Sequence, residues 1–85
     1  MPVYGYTSGV TDEYGLHEMS EISFAVSFGQ LRQIAAFLTD CADRAEAGEW
    51  QNSHAHLSTF TKTWKDCDVI VIHQNPAAPK QVSDA

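Results

Sequence analysis

Two histidines close together in the sequence are the side chains best suited to metal chemistry. His54 and His56 are separated by one residue, and on a β-strand such residues point to the same side, so both imidazoles could bind one metal ion. Zinc needs three or four ligands, however, and no CxxC or HExxH spacing supplies them, since His17, His73 and Cys67 lie elsewhere. We expect surface histidines that hydrogen-bond their neighbours, with a His/Cys metal-binding module as a less favoured alternative.

Hydroxyl side chains near these histidines do not predict catalysis. Ser58, Thr59 and Thr61 follow the pair closely, but the sequence places no acid to orient a histidine and shows no oxyanion loop. A phosphate-binding loop and a complete set of metal ligands are also missing from the sequence. We therefore expect a protein that is not an enzyme and that has no cofactor.

An acidic series spaced by three residues consists of Asp40, Asp43, Glu46 and Glu49. In the C-terminal half of a helix these carboxylates oppose the helix dipole, and only Arg44 offers an i,i+4 partner, to Asp40. Helix stability therefore does not explain them. They form either a solvated face that keeps the protein in solution or a surface that steers a basic partner.

Trp50 follows this series in a polar loop, and an aromatic anchor with a charged rim is typical of a protein–protein hot spot. By contrast, we expect Phe60 and Trp64 in the core and Phe37 at the edge of the core-facing stripe. The sequence thus predicts a partner-binding surface made of Asp40, Asp43, Glu46, Glu49, Trp50, His54 and His56.

Composition narrows the class of protein. The 85 residues allow one domain, and 44% hydrophobic residues are typical of a folded chain. The net charge of -6 argues against nucleic-acid binding. We expect neither a secretion signal nor a membrane span, and we place the protein in the cytoplasm. The two cysteines, Cys41 and Cys67, are expected to be small buried hydrophobes and not a disulfide.

A single amphipathic helix over residues 28–47 organises these features. Ser27 and Gln30 have the spacing of a capping box, and Gly48 can end the helix in the left-handed region. At about 100° per residue, an arc of about 120° contains the predicted core-facing stripe. Its members are Leu31, Ile34, Ala35, Leu38, Cys41, Ala42 and Ala45.

Strands are predicted on both sides of the helix. Before the helix, residues 3–6 predict a short edge strand, and the alternation over 22–26 predicts a strand with one buried face. After the helix, residues 54–64 predict an extended segment, and the β-branched run 69–72 predicts a central strand. This indicates an α+β fold in β-β-α-β-β order, with one long helix on one face of a three- to four-stranded, mainly antiparallel sheet. We expect one domain over 1–74 and a disordered tail over 75–85.

Four segments of the chain together resemble the immunity protein 32 family of bacterial polymorphic-toxin systems. They are EMSEISF, the helix LRQIAAFLTDCADRAEAG, the HAHL element, and a tryptophan shortly before DVIVI, and they span about two thirds of the chain. The resemblance implies a small cytoplasmic antidote that binds and neutralises a cognate toxin. The acidic charge of the chain suits a basic toxin, which would be masked stoichiometrically.

A competing interpretation is a small homodimeric accessory protein that has no toxin partner. It rests on the apolar run over 69–72, because a helix covers only one face of a sheet and the other face then needs a second copy or a partner. Co-expression with the adjacent gene product distinguishes these two interpretations.

Overall fold

The computed structural model describes residues 1–50 and 54–73. Along the chain, the elements are β1 (Val3–Thr11), β2 (His17–Phe24), α1 (Phe28–Glu46), β3 (His54–His56), α2 (Leu57–Phe60) and β4 (Ile70–Ile72). The mixture of helix and antiparallel strands confirms the α+β class. The predicted division into residues 1–74 and 75–85 stays a prediction, because the tail lies outside the described residues.

The first two strands form a long antiparallel hairpin. Its register pairs Val3 with Phe24 and Gly5 with Ile22, and irregularities after Tyr6 and after Thr7 shift the pairing toward the turn. The predicted short strand is thus nine residues long, and the second strand begins at His17, earlier than the alternation over 22–26 indicated. Every residue of both strands is exposed.

Helix α1 begins and ends where the sequence predicts. The Ser27 side chain accepts a hydrogen bond from the Gln30 backbone N–H, and the Gln30 side chain accepts one from the Ser27 backbone N–H, so the capping box is confirmed. After the last helical residue, Glu46, the chain turns at Gly48 with φ of 78°. This left-handed conformation costs glycine little and other residues more.

The core is small, and the helix presents to it only part of the predicted stripe, Ile34 and Cys41, together with Phe37. Among the described residues, α1 buries Ile34, Phe37 and Cys41, whereas four of the predicted stripe residues are exposed. These four are Leu31, Ala35, Leu38 and Ala42. The predicted stripe was wrong there because α1 packs on Leu57, Trp50 and Trp64, which approach it from the side of Phe37. Phe37 is 0% exposed and therefore central to the core.

The segment predicted as extended over residues 54–64 is a strand only as far as His56. The chain then enters the short helix α2, which buries Leu57 completely. The Ser58 backbone N–H at the start of α2 donates to Asp68 Oδ1 at 2.9 Å. A carboxylate from farther along the chain thus satisfies an N-terminal amide of the helix, which a strand prediction based on Thr and aromatic content could not include.

Strand β4 pairs with β3 in antiparallel register, with Ala55 opposite Val71. In the described part of the chain, the strands form two separate two-stranded sheets, β1–β2 and β3–β4. The predicted central position of β4 is therefore not observed, and Ile70 and Ile72 are exposed.

Four further side chains test the predicted core. Trp64 is buried as expected, and its indole N–H donates to the Cys67 carbonyl at 2.9 Å. Phe60 is 44% exposed, although its ring lies 5.6 Å from that of Phe37, so its predicted burial was wrong. Cys41 is buried as predicted, but Cys67 is exposed. Cys67 lies in the turn that leads to β4, where the neighbouring carboxylates hold the backbone and the thiol stays outside the core.

Candidate partner-binding groove

An apolar groove lies between the C-terminal half of α1 and strand β4. Its volume is about 200 Å³. We call this the α1–β4 groove, and its principal lining residues are Leu38, Ala42, Ala45, Trp50, Ile72 and His73. Both elements contribute side chains that sequence periodicity assigned to a covered core, so the groove is the place where predicted core residues meet solvent.

Trp50 lines this groove as a buried side chain. The loop position predicted an exposed anchor, but Trp50 is only 7% exposed, which corrects that expectation. The Arg44 guanidinium lies 5.5 Å from the centre of its ring, and the His73 ring lies at a centroid distance of 5.5 Å. The cation–π contact and the second ring hold the indole inward against the core.

Two buried polar atoms belong to residues of the groove. Trp50 Nε1 and His73 Nδ1 are buried, and neither has a hydrogen-bond partner among residues 1–50 and 54–73. A buried donor without a partner costs about 1–3 kcal/mol. These two buried atoms belong to residues that line an otherwise apolar groove.

The acidic series lies partly away from the groove and partly at its edge. At about 100° per residue, Asp43 lies about 100° around the helix from Ala42 and about 140° from Leu38, whereas Glu46 lies only about 40° from Ala42. Asp40 Oδ2 accepts a hydrogen bond from Arg44 Nε at 2.9 Å, which confirms the predicted i,i+4 pair. Asp43, Glu46 and Glu49 are exposed. The predicted surface therefore comprises the α1–β4 groove, the exposed Asp43 on another side of α1, and Glu46 close to the groove residue Ala42.

The two predicted histidines do come together. The rings of His54 and His56 meet nearly edge to face, with their centroids 5.0 Å apart. His56 Nδ1 lies 2.8 Å from Asp68 Oδ2. Sequence reasoning missed this acid, and the expectation that no acid orients a histidine was wrong. The register that pairs His56 with Ile70 brings Asp68 beside the histidine, and this register was not visible before the strand ends were known.

The contacts of Asp68 are not those of a catalytic triad, because the Ser58 hydroxyl donates to the Asp68 carboxylate and not to His56. Ser58 Oγ donates to Asp68 Oδ2 at 3.0 Å. Desolvation alone would raise the pKa of Asp68, but the hydrogen bonds from His56 and Ser58 outweigh it, and the pKa of the carboxyl lies below its usual value. Asp68 is therefore a structural link that joins the start of α2 to β3.

The histidine pair could offer two imidazole ligands, with Asp68 holding one ring in orientation. In residues 1–50 and 54–73, however, no group of three or more His, Cys, Asp or Glu side chains is arranged to hold a metal ion. Within the same residues, no helix is long and apolar enough to cross a membrane.

Comparison of the chain with models of protein families, with curated proteins and with solved structures finds no match in any of the three. The resemblance to the immunity protein 32 family therefore stays an expectation from the four quoted segments.

Proposed function

We propose that this chain is a non-enzymatic immunity protein that binds a cognate bacterial toxin and masks it stoichiometrically. The observation that supports the proposal best is the α1–β4 groove, in which the exposed apolar side chains of Leu38 and Ile72 lie beside the buried Trp50. Such a groove is suited to a protein segment that brings an apolar side chain. The resemblance to immunity protein 32 supplies the biological role.

In the proposed mechanism, the two surfaces act at different stages. The carboxylates of Asp43, Glu46 and Glu49 attract a basic toxin before contact, since long-range steering does not require them to touch it. The groove then buries an apolar toxin residue against Leu38 and Ile72, which gives about 25 cal/mol for each Å² removed from water. Steering sets the association rate, and burial sets the lifetime of the complex.

Three further parts of the proposal follow from the sequence. We place the action in the cytoplasm, and the partner is a protein, with no role for nucleic acid, membrane or cofactor. The histidines His54 and His56 stay candidate contacts at one end of β3. One long helix on one face of a three- to four-stranded sheet, in β-β-α-β-β order, stays a proposal, since the described strands form two two-stranded sheets.

The test is co-expression with the toxin encoded by the adjacent gene. The wild-type chain should restore growth. Ala42→Glu places a charge in the groove and should abolish protection, whereas Ala36→Glu makes the same change at an exposed position about 120° around the helix and should protect fully. Growth arrest despite abundant wild-type chain would refute the proposal, and equal protection by both variants would refute the role of the groove.

The steering role has its own measurement. Asp43→Asn combined with Glu46→Gln should slow association with the purified toxin at low salt and leave dissociation nearly unchanged. An association rate that does not depend on these charges or on salt would show that the acidic face serves only solubility.

The second candidate function is a homodimeric accessory protein without a toxin partner. The observation that favours it is the hairpin β1–β2, which exposes all of its side chains. Growth assays decide between the two functions, because this candidate predicts no protection by any variant.

A further inference from the structure

The hairpin β1–β2 has one apolar face that starts in the core and continues beyond it. Met1 and Val26, at its base, pack against the buried core. Strand alternation and the pairing register place Val3, Ile22 and Phe24 on the same face. Farther out, Met19 lies over Gly5, where a Cβ would be 2.5 Å from Met19 Cε. We call Val3, Met19, Ile22 and Phe24 the hairpin face.

This face is uncovered in the single chain. Its four side chains are between 37% and 56% exposed. The opposite face differs in kind, because there the register pairs Tyr4 with Ser23 and Tyr6 with Glu21. A two-stranded hairpin without cover is marginal in water and needs packing for its stability. Within the described residues both faces are open to solvent, and the apolar face gains more than the mixed one from being covered.

The N-terminal half of α1 carries a second uncovered surface. Phe28 is 83% exposed and Leu31 is 49% exposed, and Ala35 is exposed on the same side of the helix. We call these three residues the helix stripe. Sequence periodicity assigns Leu31 and Ala35 to a face that a sheet covers. The hairpin β1–β2 is a sheet whose apolar face is exposed.

The chain does not bring these two surfaces together. Only residues 25–27 join β2 to α1. The base of the hairpin is tied down, because the Ala25 backbone N–H donates to the Pro2 carbonyl at 2.9 Å and Val26 packs on the core. The hairpin face therefore extends outward from the core and does not fold back on its own helix.

The exposed area matches what a dimer requires. At roughly 150–200 Å² for a fully exposed side chain of this size, the hairpin face and the helix stripe together present roughly 450–600 Å² of apolar surface per chain. A stable interface buries about 800 Å² per partner, of which about 56–65% is apolar, or about 450–500 Å².

We propose that two copies of this chain form a twofold dimer in which the hairpin face of each copy packs on the helix stripe of the other. One symmetry operation then covers all four surfaces, since each copy supplies both a hairpin and a helix. A foreign partner would instead have to match two surfaces at once. The dimer goes beyond the proposed function, because it does not involve the α1–β4 groove or a toxin.

Size-exclusion chromatography with light scattering on the chain alone tests this proposal. The wild-type chain should be a dimer at micromolar concentrations. Ile22→Lys in the hairpin face and Leu31→Glu in the helix stripe should each give monomers. Ser23→Lys, on the opposite face of the same strand, and Ala36→Glu, on another side of α1, are the matched controls and should stay dimeric.

Mixing the two monomeric variants identifies the arrangement. In an exchanged dimer, the new lysine of one copy faces the new glutamate of the other, and the second pair of surfaces is wild-type, so the mixture should return to dimer. This recovery also shows that both variants are folded. A monomeric wild-type chain, a dimer insensitive to Ile22→Lys, or a mixture that stays monomeric would overturn the proposal. A dimer insensitive to Leu31→Glu would also overturn it and would fit hairpins stacked on each other. Toxin protection is measured separately, so either proposal can fail without the other.

Discussion

Replacing Phe37 tests where the core of this protein lies. Phe37 is 0% exposed and belongs to the cluster with Leu57, Trp50 and Trp64. Removing a buried phenyl ring costs about 3–5 kcal/mol through lost burial and the cavity that is left. A chain of this length has a total stability of about 4–13 kcal/mol. Phe37→Ala should therefore remove a large part of the free energy of unfolding.

Phe60→Ala is the matched control, because it removes the same ring from a residue that touches Phe37. Phe60 is 44% exposed, and the two ring centroids are 5.6 Å apart. Losing half of the burial energy together with one ring contact predicts a cost of about 1–2 kcal/mol. The double variant should show a coupling of about 0.5–1.5 kcal/mol between the two rings.

Urea unfolding followed by tryptophan fluorescence measures these costs, since Trp50 and Trp64 are both buried and become exposed on unfolding. Far-UV circular dichroism provides the second probe that two-state behaviour requires. Equal costs for Phe37→Ala and Phe60→Ala, or a larger cost for Phe60→Ala, would refute the placement of the core. The sequence had placed Phe37 at the edge of the helix stripe by periodicity, and Phe60 inside because aromatic side chains mostly pack in a thin core.

Three other changes have predicted outcomes. The pKa of Asp68 is lowered, so its contribution to stability is present above its unfolded pKa and is lost as pH falls through its folded pKa. In urea midpoints measured against pH, Asp68→Asn should therefore reduce the loss of stability at acid pH. Gly48→Ala should lower the free energy of unfolding by about 1 kcal/mol, because φ there is 78°. Gly29→Ala, inside the helix, should raise the free energy of unfolding by about 0.5–1 kcal/mol in the same assay. A thiol reagent should modify Cys67 at once and Cys41 only on unfolding, because burial raises the pKa of the Cys41 thiol.

The parts of the fold that sequence predicts well are those fixed by local interactions. The capping box at Ser27 and the turn at Gly48 involve only neighbouring residues, and both are present in the structure. The pair between Asp40 and Arg44 lies within one turn and is also present. Local chemistry therefore determines the limits of α1 and one of its surface contacts.

Features that depend on distant segments were not predictable in the same way. Which side of α1 is buried depends on how Leu57 and Trp64 approach it, and sequence periodicity cannot tell the Leu31 side from the Phe37 side when both are apolar. The turn of the chain into α2 depends on Asp68, which lies ten residues beyond Ser58. The burial of Trp50 in the candidate site could not be predicted for the same reason, since the indole contacts His73, which is distant in the sequence, as well as Arg44.

Titration of the purified toxin with this chain tests the proposed stoichiometric masking most directly. Residual toxin activity should fall linearly and reach zero at one chain per toxin molecule. The binding heat should show a negative heat-capacity change, because the α1–β4 groove buries apolar surface. Ala42→Glu should leave activity undiminished across the titration. Inactivation by amounts of chain far below the toxin concentration, or full toxin activity in excess chain, would contradict the account.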